Sequence, residues 1–301
     1  MDNTTYRECW AHYLGGPSPM CKQWEGVSFT HSNGKKRAVI DKFGDNVATA
    51  TLQGDSYRIR HDSFKWTVVE LAEWCRFMID TEPMHKFLPF IKQRNRFLGL
   101  RGRQRQGMVP DFLDIRRQCL MDVKTMSFGK AYAPARFRHA QRCNTVERRG
   151  KEVHRAITAK ARLIDKTYNG WRPDSGTPGP VQQRLQGFGR VKGLVVGAHG
   201  EFSPDLVQLT RALAKQGAQS RHRDMGFDSA HDAYSTVSAQ VWLALGIEAT
   251  RGMARLRIHK LGIALAGNTS NKAAAARRQR SRASHAQRAQ AYEARHCFYD
   301  I

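Results

Sequence analysis

The stretch of residues 108–126 constrains this chain most, because it predicts a β-hairpin that carries charged side chains. Two short apolar runs flank the basic turn Arg116-Arg117, a pattern typical of two antiparallel strands. Asp111 lies near the start of the first strand. Asp122 and Lys124 lie two residues apart on the second, so both side chains leave the same face of the sheet. Two carboxylates and a lysine that converge in this way suit a divalent metal ion and a water held beside a phosphate.

The charge of the chain favours a polyanionic partner. Fifty Lys and Arg residues against 26 Asp and Glu residues give a formal net charge of +24 over 301 residues, and nucleic acid is the partner that such an excess indicates. A membrane role is not expected, because the most apolar segment, residues 241–247, is too short to span a bilayer. We also expect no secretory signal at the N-terminus.

Cysteine usage indicates an intracellular protein with reduced thiols. The six cysteines are scattered along the chain without a C-x-x-C pair, which argues against a disulfide framework and against a zinc ribbon. The twelve histidines show no ligand spacing such as H-E-x-x-H. We therefore expect no structural zinc site.

The hairpin also contains a recognisable spacing, Pro110-Asp111, then ten residues, then Asp122-x-Lys124. This pattern resembles the core motif of the PD-(D/E)XK nuclease superfamily. The following segments extend the resemblance to about residues 64–216, because a long helix, a buried strand at 191–198 and a capped helix after Ser203 come in the order of that fold. The resemblance implies an α/β (α+β) fold with a restriction-endonuclease-like core, in which helices flank a mixed central sheet.

The resemblance implies a role for each residue of the motif. Asp111 and Asp122 would be the carboxylate ligands of Mg²⁺, or of Mn²⁺ in its place, and the backbone carbonyl of Val123 would complete that side. Lys124 would hold or help to deprotonate the attacking water and would offset phosphate charge. Members of the superfamily cleave phosphodiester bonds of DNA or RNA with magnesium. DNA is the more strongly expected substrate here.

Two further site residues follow from the same resemblance. Family members add an acidic residue from the helix before the hairpin, and here the candidates are Glu70 and Glu73 in the predicted helix 64–80. Glu73 is preferred, because it lies four residues from both Val69 and Phe77 on the expected core-facing side. Many members also carry a polar residue on the helix after the hairpin, for which Lys160 is chosen over Lys151 and Tyr168.

Other acidic residues near the motif are expected to be structural. Asp114 would point to the opposite face from Asp111 in a regular strand, so we expect a structural or arginine-paired carboxylate. Glu201 follows the buried strand, and we expect it to pair with a basic side chain. His199 alone does not make a catalytic acid.

A basic segment at residues 92–106 leaves two interpretations open. It is either a solvated loop or a phosphate-contacting segment next to the hairpin. Its candidate nucleic-acid contacts are Arg94, Arg96, Arg101, Arg103 and Arg105, together with Lys160 from the later helix.

The pattern of apolar, charged and turn-forming residues predicts four regions along the chain. Residues 1–62 form a small β-rich region, read as an antiparallel meander with strands near 27–30, 37–40, 47–52 and 57–60. Residues 63–220 form the nuclease-like core, and 221–266 form a C-terminal helical region with a break near Gly246–Gly252. Residues 267–301 are a basic low-complexity tail of the kind found in nuclear-localisation or nucleic-acid-binding segments, with a purely solvated tail as the alternative.

These observations favour a metal-dependent nuclease, of the kind found in restriction, repair and mobile genetic elements. The main rival is a non-catalytic basic nucleic-acid-binding protein in which the hairpin carboxylates are structural. A basic protein associated with ribosomes or capsids is a third interpretation. Charge alone supports all three.

Overall fold

The computed structural model describes residues 2–32, 37–52, 56–94, 97, 110–126 and 138–266. The chain divides into two compact units, of which the first comprises residues 1–59 and 254–301 and the second comprises residues 60–253. The tail at 267–301 lies outside the described residues. Within the described part of the chain, every helix falls short of the length and apolar character that a membrane crossing requires.

The fold is mixed α/β. The helices are α1 (Asn3–Tyr13), α2 (Pro19–Lys22), α3 (Asp45–Thr49), α4 (Ser56–Trp74), α5 (His139–Tyr168), α6 (Pro180–Gly187), α7 (Pro204–Arg221) and α8 (Ala230–Ala266). The strands are β1 (Ser28–Thr30), β2 (Arg37–Val39), β3 (Ile79–Thr81), β4 (Phe112–Asp114), β5 (Cys119–Thr125) and β6 (Lys192–Val196).

The second unit is built on a four-stranded mixed sheet in the order β3-β4-β5-β6. The first two pairings are antiparallel and the pairing of β5 with β6 is parallel. The predicted hairpin is confirmed as β4 and β5. Strand β3 is not predicted from the sequence, because a strand of three residues is too short to show an alternation of apolar and polar side chains. Among the described residues, the helices and strands from α4 to β6 follow the order α-β-β-β-α-α-β, in which the short helix α6 lies between α5 and β6.

The long helix α5 packs against β6. The recurrence of Val153, Ile157, Ala161 and Ile164 at helical spacing predicts an apolar stripe on this helix, and the prediction is confirmed because all four residues are buried. The two elements approach most closely at a pair of glycines: a Cβ on Gly193 would lie 2.5 Å from the backbone oxygen of Gly150. Glycine at this position therefore lets the helix lie directly on the sheet.

The start of α7 protects the outer edge of β6. Ser203 caps the helix as predicted, and its hydroxyl accepts the N–H of Val195 at 3.0 Å and donates to the carbonyl of Gly193 at 2.6 Å. Asp205 accepts the N–H of Gly193 at 3.0 Å. Backbone groups that an edge strand would otherwise expose thus bond to side chains of the following helix.

Two predicted glycine effects on the C-terminal helices are wrong. A glycine after the leucines of this helix predicts that α7 ends near Gln216, but the helix continues through Gly217 to Arg221, and a Cβ on Gly217 would lie 2.9 Å from the Cys75 sulfur. No break occurs at Gly246–Gly252, since α8 is continuous through both. A Cβ on Gly252 would lie 2.9 Å from the Arg60 side chain. Gly217 and Gly252 thus permit close packing, a role that the sequence pattern does not distinguish from helix termination.

The predicted N-terminal meander is wrong. Only the first two of its four strands form, as the β1-β2 hairpin, whereas residues 45–49 are helix α3 and residues 57–60 belong to α4. Asp41 explains part of the difference, because its carboxylate accepts the N–H groups of Phe43, Asp45 and Asn46 and so starts α3. Local capping overrides the β-propensity of Val47 and its neighbours.

The first unit has its own apolar core, into which the end of α8 packs. The core residues are Cys21, Phe29, Ile40, Val47, Ala50, Leu52, Leu261 and Ala264. Beside it, the buried ammonium of Lys260 donates to the carbonyls of Ala48 and Ala50 at 2.6 and 2.8 Å. Lys260 thereby satisfies carbonyl groups at the end of α3. Burial lowers the pKa of Lys260 to about 8.

We expect this lysine to make stability depend on pH in an unusual direction. Its pKa is lower in the folded protein than the ordinary 10.5, so between these values the unfolded chain binds more protons and stability rises with pH. The free energy of unfolding of the wild type, relative to Lys260→Met, is expected to rise by about 3 kcal/mol from pH 8 to pH 10.5. Urea titrations of both proteins across this range measure the difference, and a flat difference would contradict the prediction.

Candidate functional site

The β4-β5 ladder brings the two predicted carboxylates together. Phe112 pairs with Met121, so continuing the antiparallel register by one residue sets Asp111 opposite Asp122. The carboxylate of Asp111 accepts the N–H of Val123 at 2.8 Å. Both aspartates are buried, with 7% and 3% of their surface exposed. Two acidic groups thus share one buried region of the sheet.

Lys124 lies beside Asp122, as its position two residues along the same strand predicts. Its ammonium is 2.6 Å from Asp122 Oδ2. This oxygen is buried and accepts no hydrogen bond of ordinary geometry from the described residues, so the contact with Lys124 is an ion pair. Burial raises the pKa of Asp122, and the charge of Asp111 raises it further, against the opposing effect of Lys124. Burial therefore makes the ionised form of Asp122 unfavourable, and a bound cation would lower this free-energy cost.

Helix α4 contributes two cationic side chains to Asp111. Lys65 Nζ lies 3.4 Å from Asp111 Oδ1 and 2.6 Å from Glu82 Oε1. His61 Nε2 lies 3.3 Å from Asp111 Oδ2 and 3.2 Å from the carbonyl oxygen of Val123. The two residues are four positions apart, so they occupy one face of the helix. Both oxygens of Asp111 therefore face basic groups from α4.

These contacts hold the Asp111 cluster in its charged form. Burial by itself would lower the pKa of His61, but hydrogen bonds and charges from Asp111 and Asp62 outweigh it and raise the pKa to about 9. Burial would likewise raise the pKa of Asp111, but the hydrogen bond and charge from His61 and the charge of Lys65 lower it to about 2. At neutral pH the pair is an imidazolium and a carboxylate.

The predicted third carboxylate does not join this cluster. Glu70 and Glu73 are exposed on α4, and no group of three or more His, Cys, Asp or Glu residues suited to a metal forms among the residues that the structure describes. The helix begins at Ser56, earlier than predicted, so Lys65 already lies at the level of Asp111. Glu73 is eight residues further, about 12 Å along the axis. The prediction for Glu73 is therefore not supported.

Lys160 lies on α5, which packs against β6. Its charge acts to lower the pKa of Asp122. Its part in the site and its contact with nucleic acid remain predictions.

Lys92 and Phe97, in the first part of the basic segment, contact the C-terminal end of α5. Lys92 donates its N–H to Asn169 Oδ1 at 2.7 Å, and the buried ring of Phe97 meets the ring of Tyr168 edge-on at 5.3 Å. Arg94 is exposed between these anchors. The predicted contacts Arg96, Arg101, Arg103 and Arg105 lie outside the described residues.

Asp114 and Glu201 have the structural roles that the sequence predicts for them. Asp114 Oδ1 accepts the N–H groups of Arg116 and Arg117, each at 3.1 Å, and so stabilises the hairpin turn. Glu201 forms a buried ion pair with Arg142. Neither carboxylate is available to the Asp111–Asp122 region.

Sequence reasoning missed His61 and Lys65. The sequence signal for them is the four-residue spacing of two basic residues on a helix. Because residues 57–60 alone predict a strand, His61 falls outside the predicted helix 64–80. The buried guanidinium of Arg60, which donates to the carbonyls of Met126 and Gly197 at the ends of β5 and β6, was hidden for the same reason. Both features depend on where α4 begins.

The donor groups fit a magnesium ion in type. Asp111 and Asp122 provide carboxylate oxygens, and the Val123 carbonyl directly follows Asp122 in the chain. Oδ2 of Asp122 is buried and forms an ion pair with Lys124, but it accepts no hydrogen bond of ordinary geometry from the described residues. Magnesium prefers such oxygen ligands and is commonly bound through one or two carboxylates, with water and substrate phosphate completing the shell. A site with two carboxylates is therefore compatible with this metal.

The fold and site together define a mixed α/β protein whose sheet carries a buried cluster of two carboxylates and three basic groups. Comparison with known protein families, with curated proteins and with solved structures found no match.

Proposed function

We propose that this protein is a metal-dependent nuclease that hydrolyses phosphodiester bonds, with DNA as the expected substrate and RNA as the alternative. The observation that carries the proposal is the juxtaposition of Asp111 and Asp122 across adjacent strands, with the Lys124 ammonium 2.6 Å from Asp122. These are the residue types that the Pro-Asp and Asp-x-Lys motif supplies, and their proximity in space supports the proposal.

The element order supports a place in the PD-(D/E)XK superfamily. That resemblance implies an α-β-β-β-α-β core, and the elements from α4 to β6 follow this order apart from the short additional helix α6 before β6, with one parallel pairing in the sheet. The strand that the sequence analysis lacked is β3, which pairs antiparallel with β4. A restriction-endonuclease-like fold is therefore part of the proposal.

Each residue of the cluster has a role in this proposal. Asp111 and Asp122 hold Mg²⁺ or Mn²⁺ through their oxygens, aided by the carbonyl of Val123. When bound, such a metal supplies an activated water and neutralises charge on the phosphate. Lys124 is 33% exposed at its side chain, so its ammonium can turn from Asp122 towards a phosphate oxygen or the attacking water.

The basic groups from α4 prepare the site for an anionic substrate. His61 and Lys65 keep Asp111 ionised, so it is ready to act as a ligand without first losing a proton. With Lys124 and Lys160 they offset the charges of Asp62, Glu82, Asp111 and Asp122, so the region carries no excess of negative charge before a metal binds. This balance limits repulsion of a nucleic-acid backbone, which the net charge of +24 on the whole chain attracts.

One observation favours a second candidate, a non-catalytic nucleic-acid-binding protein. Both oxygens of Asp111 already interact with groups of the protein, namely the His61 imidazole, the Lys65 ammonium and the Val123 N–H. A carboxylate in such a setting can be purely structural, and in this case the net charge alone would provide the binding.

The decisive experiment compares cleavage with and without metal. Full-length protein is incubated with labelled single-stranded and duplex DNA and with RNA, in Mg²⁺, in Mn²⁺ and in EDTA. We expect cleavage with either metal and none in EDTA, while binding in EDTA persists. Binding to nucleic acid without cleavage under any metal condition would favour the non-catalytic candidate. Glu73→Gln, a change in an exposed carboxylate outside the cluster, serves as a matched control and is expected to cleave like wild type.

A further inference from the structure

The exposed side of α5 carries a row of cations that the proposed nuclease site does not use. Residues Arg148, Arg155, Arg162 and Lys166, here called the α5 stripe, are exposed. At 100° per residue they fall within an arc of about 40° on the helix. The apolar residues that pack on the sheet, centred on Ile157, lie on the opposite side. The stripe therefore points away from Asp122.

The stripe cations form no ion pair with a carboxylate of the described residues. The nearby glutamates on α5 are already paired, Glu147 with Lys151 at 2.6 Å and Glu152 with Arg149 at 2.9 Å. Among the described residues, none of the four stripe cations has a carboxylate within ion-pair distance. Unpaired cations in one row on a rigid helix form a ready binding surface for a chain of phosphates.

The C-terminal end of the stripe opens into a cleft. Arg162 and Lys166 line a cavity of about 690 Å³ together with Leu163, Trp171, Pro173 and the loop residues 176–178. The indole N–H of Trp171 donates to the carbonyl of Thr177 at 2.7 Å, and its backbone N–H donates to the carbonyl of Asp165 at 3.1 Å. These bonds fix the orientation of the ring, which is only half-buried. The cleft thus combines two exposed cations with an aromatic side chain of fixed orientation.

We infer that the α5 stripe and this cleft form a second nucleic-acid surface, which binds a single-stranded segment. Arg155, Arg162 and Lys166 contact successive phosphates over about 16 Å of helix, and Trp171 receives an unstacked base. Proteins that bind single strands combine a basic track with aromatic side chains in this way. A duplex keeps its bases stacked inside, so it would gain the charge contacts but not the contact with Trp171.

The position of this surface separates its role from cleavage. Lys160 lies towards the sheet near Asp122, whereas Arg162, two residues later, lies about 200° around the helix. A strand on the α5 stripe is therefore not the segment whose phosphate reaches Lys124. The surface instead raises the affinity for substrates that carry a single-stranded extension.

Binding in EDTA tests this surface without any cleavage, so its failure is distinguishable from failure of the nuclease proposal. The probes are a fluorescein-labelled 20-nucleotide oligothymidylate and a 20-base-pair duplex, measured by anisotropy with full-length protein at several salt concentrations. The triple variant Arg155→Gln, Arg162→Gln and Lys166→Gln is expected to bind the single strand at least about 10-fold more weakly. The slope of log affinity against log salt should fall in magnitude by about 2.

A matched triple variant controls for the loss of charge alone. Arg211→Gln, Lys215→Gln and Arg223→Gln remove the same charge from exposed positions on α7 and just after it. This control is expected to change single-strand affinity less than about twofold. Equal losses in the two triple variants would overturn the proposal, because net charge and not the stripe would then explain binding.

The aromatic wall has its own test. Trp171→Leu is expected to weaken single-strand binding by about 5- to 100-fold, whereas Trp171→Phe keeps most of the affinity because a ring remains for stacking. Neither change should alter duplex binding, and circular dichroism confirms that both variants are folded. Equal affinity of Trp171→Leu and wild type for the single strand, or an equal loss for the duplex, would overturn the assignment of Trp171.

Discussion

Asp122→Asn is expected to lower the rate of Mg²⁺-dependent cleavage by on the order of 10²–10³-fold, the range seen when one electrostatic stabiliser is removed from an active site. An amide keeps the size of the carboxylate but loses the charge that would hold the metal. Because burial already raises the pKa of Asp122, removing this charge relieves a desolvation cost. We therefore expect the thermal midpoint of the variant not to fall.

Asp114→Asn is the matched control for this prediction. It makes the same chemical change in the same hairpin, at a carboxylate that accepts the N–H groups of the turn, and an amide oxygen can still accept them. Cleavage by Asp114→Asn should match the wild type. Initial rates in Mg²⁺, binding in EDTA and thermal unfolding of both variants complete the comparison. Wild-type cleavage by Asp122→Asn would remove this residue from the proposed metal site.

Gly193→Ala is expected to be among the most destabilising single changes in the second unit. Its Cβ would lie 2.5 Å from the Gly150 oxygen and 2.8 Å from the Gly150 Cα, and backbone atoms cannot turn away as a flexible side chain can. Helix α5 must then lift from β6. We expect a loss of about 3 kcal/mol in the free energy of unfolding, at the upper end of overpacking effects.

Gly246→Ala provides the control, because a Cβ at this helical position meets no atom within 4 Å. Alanine is the better helix former, so this change should stabilise α8 by about 0.5–1 kcal/mol. Urea denaturation of both variants gives opposite signs if the packing at Gly193 is as tight as described. A Gly193→Ala protein as stable as the wild type would contradict the close approach of α5 and β6.

Much of the second unit could be predicted from the sequence, because its signals are local. The apolar runs around Arg116-Arg117 predicted the hairpin, the helical spacing of three and four residues from Val153 to Ile164 predicted α5, and Ser203-Pro204 predicted the start of α7. Each of these signals is a periodicity or a helix cap that can be recognised from a few neighbouring residues. The pairing of Asp111 with Asp122 followed from the hairpin register.

The first unit was predicted less well, because its elements are short and compete locally. The run at residues 47–52 has strand-like composition, yet the carboxylate of Asp41 starts a helix there. Residues 57–60 look like a strand when considered alone, but they form the beginning of α4. In both places a non-local or capping interaction outweighs intrinsic propensity.

The sequence by itself determined which residues could meet in the hairpin, since a β-ladder aligns side chains by a period of two. For this reason the sequence alone predicts that Asp111, Asp122 and Lys124 lie together on one face of the hairpin. Only the tertiary structure decided which side chains of α4 reach them, because that depends on where the helix begins and how it packs on the sheet. His61 and Lys65 face Asp111, whereas Glu73 is about two turns too far along the helix axis to take part.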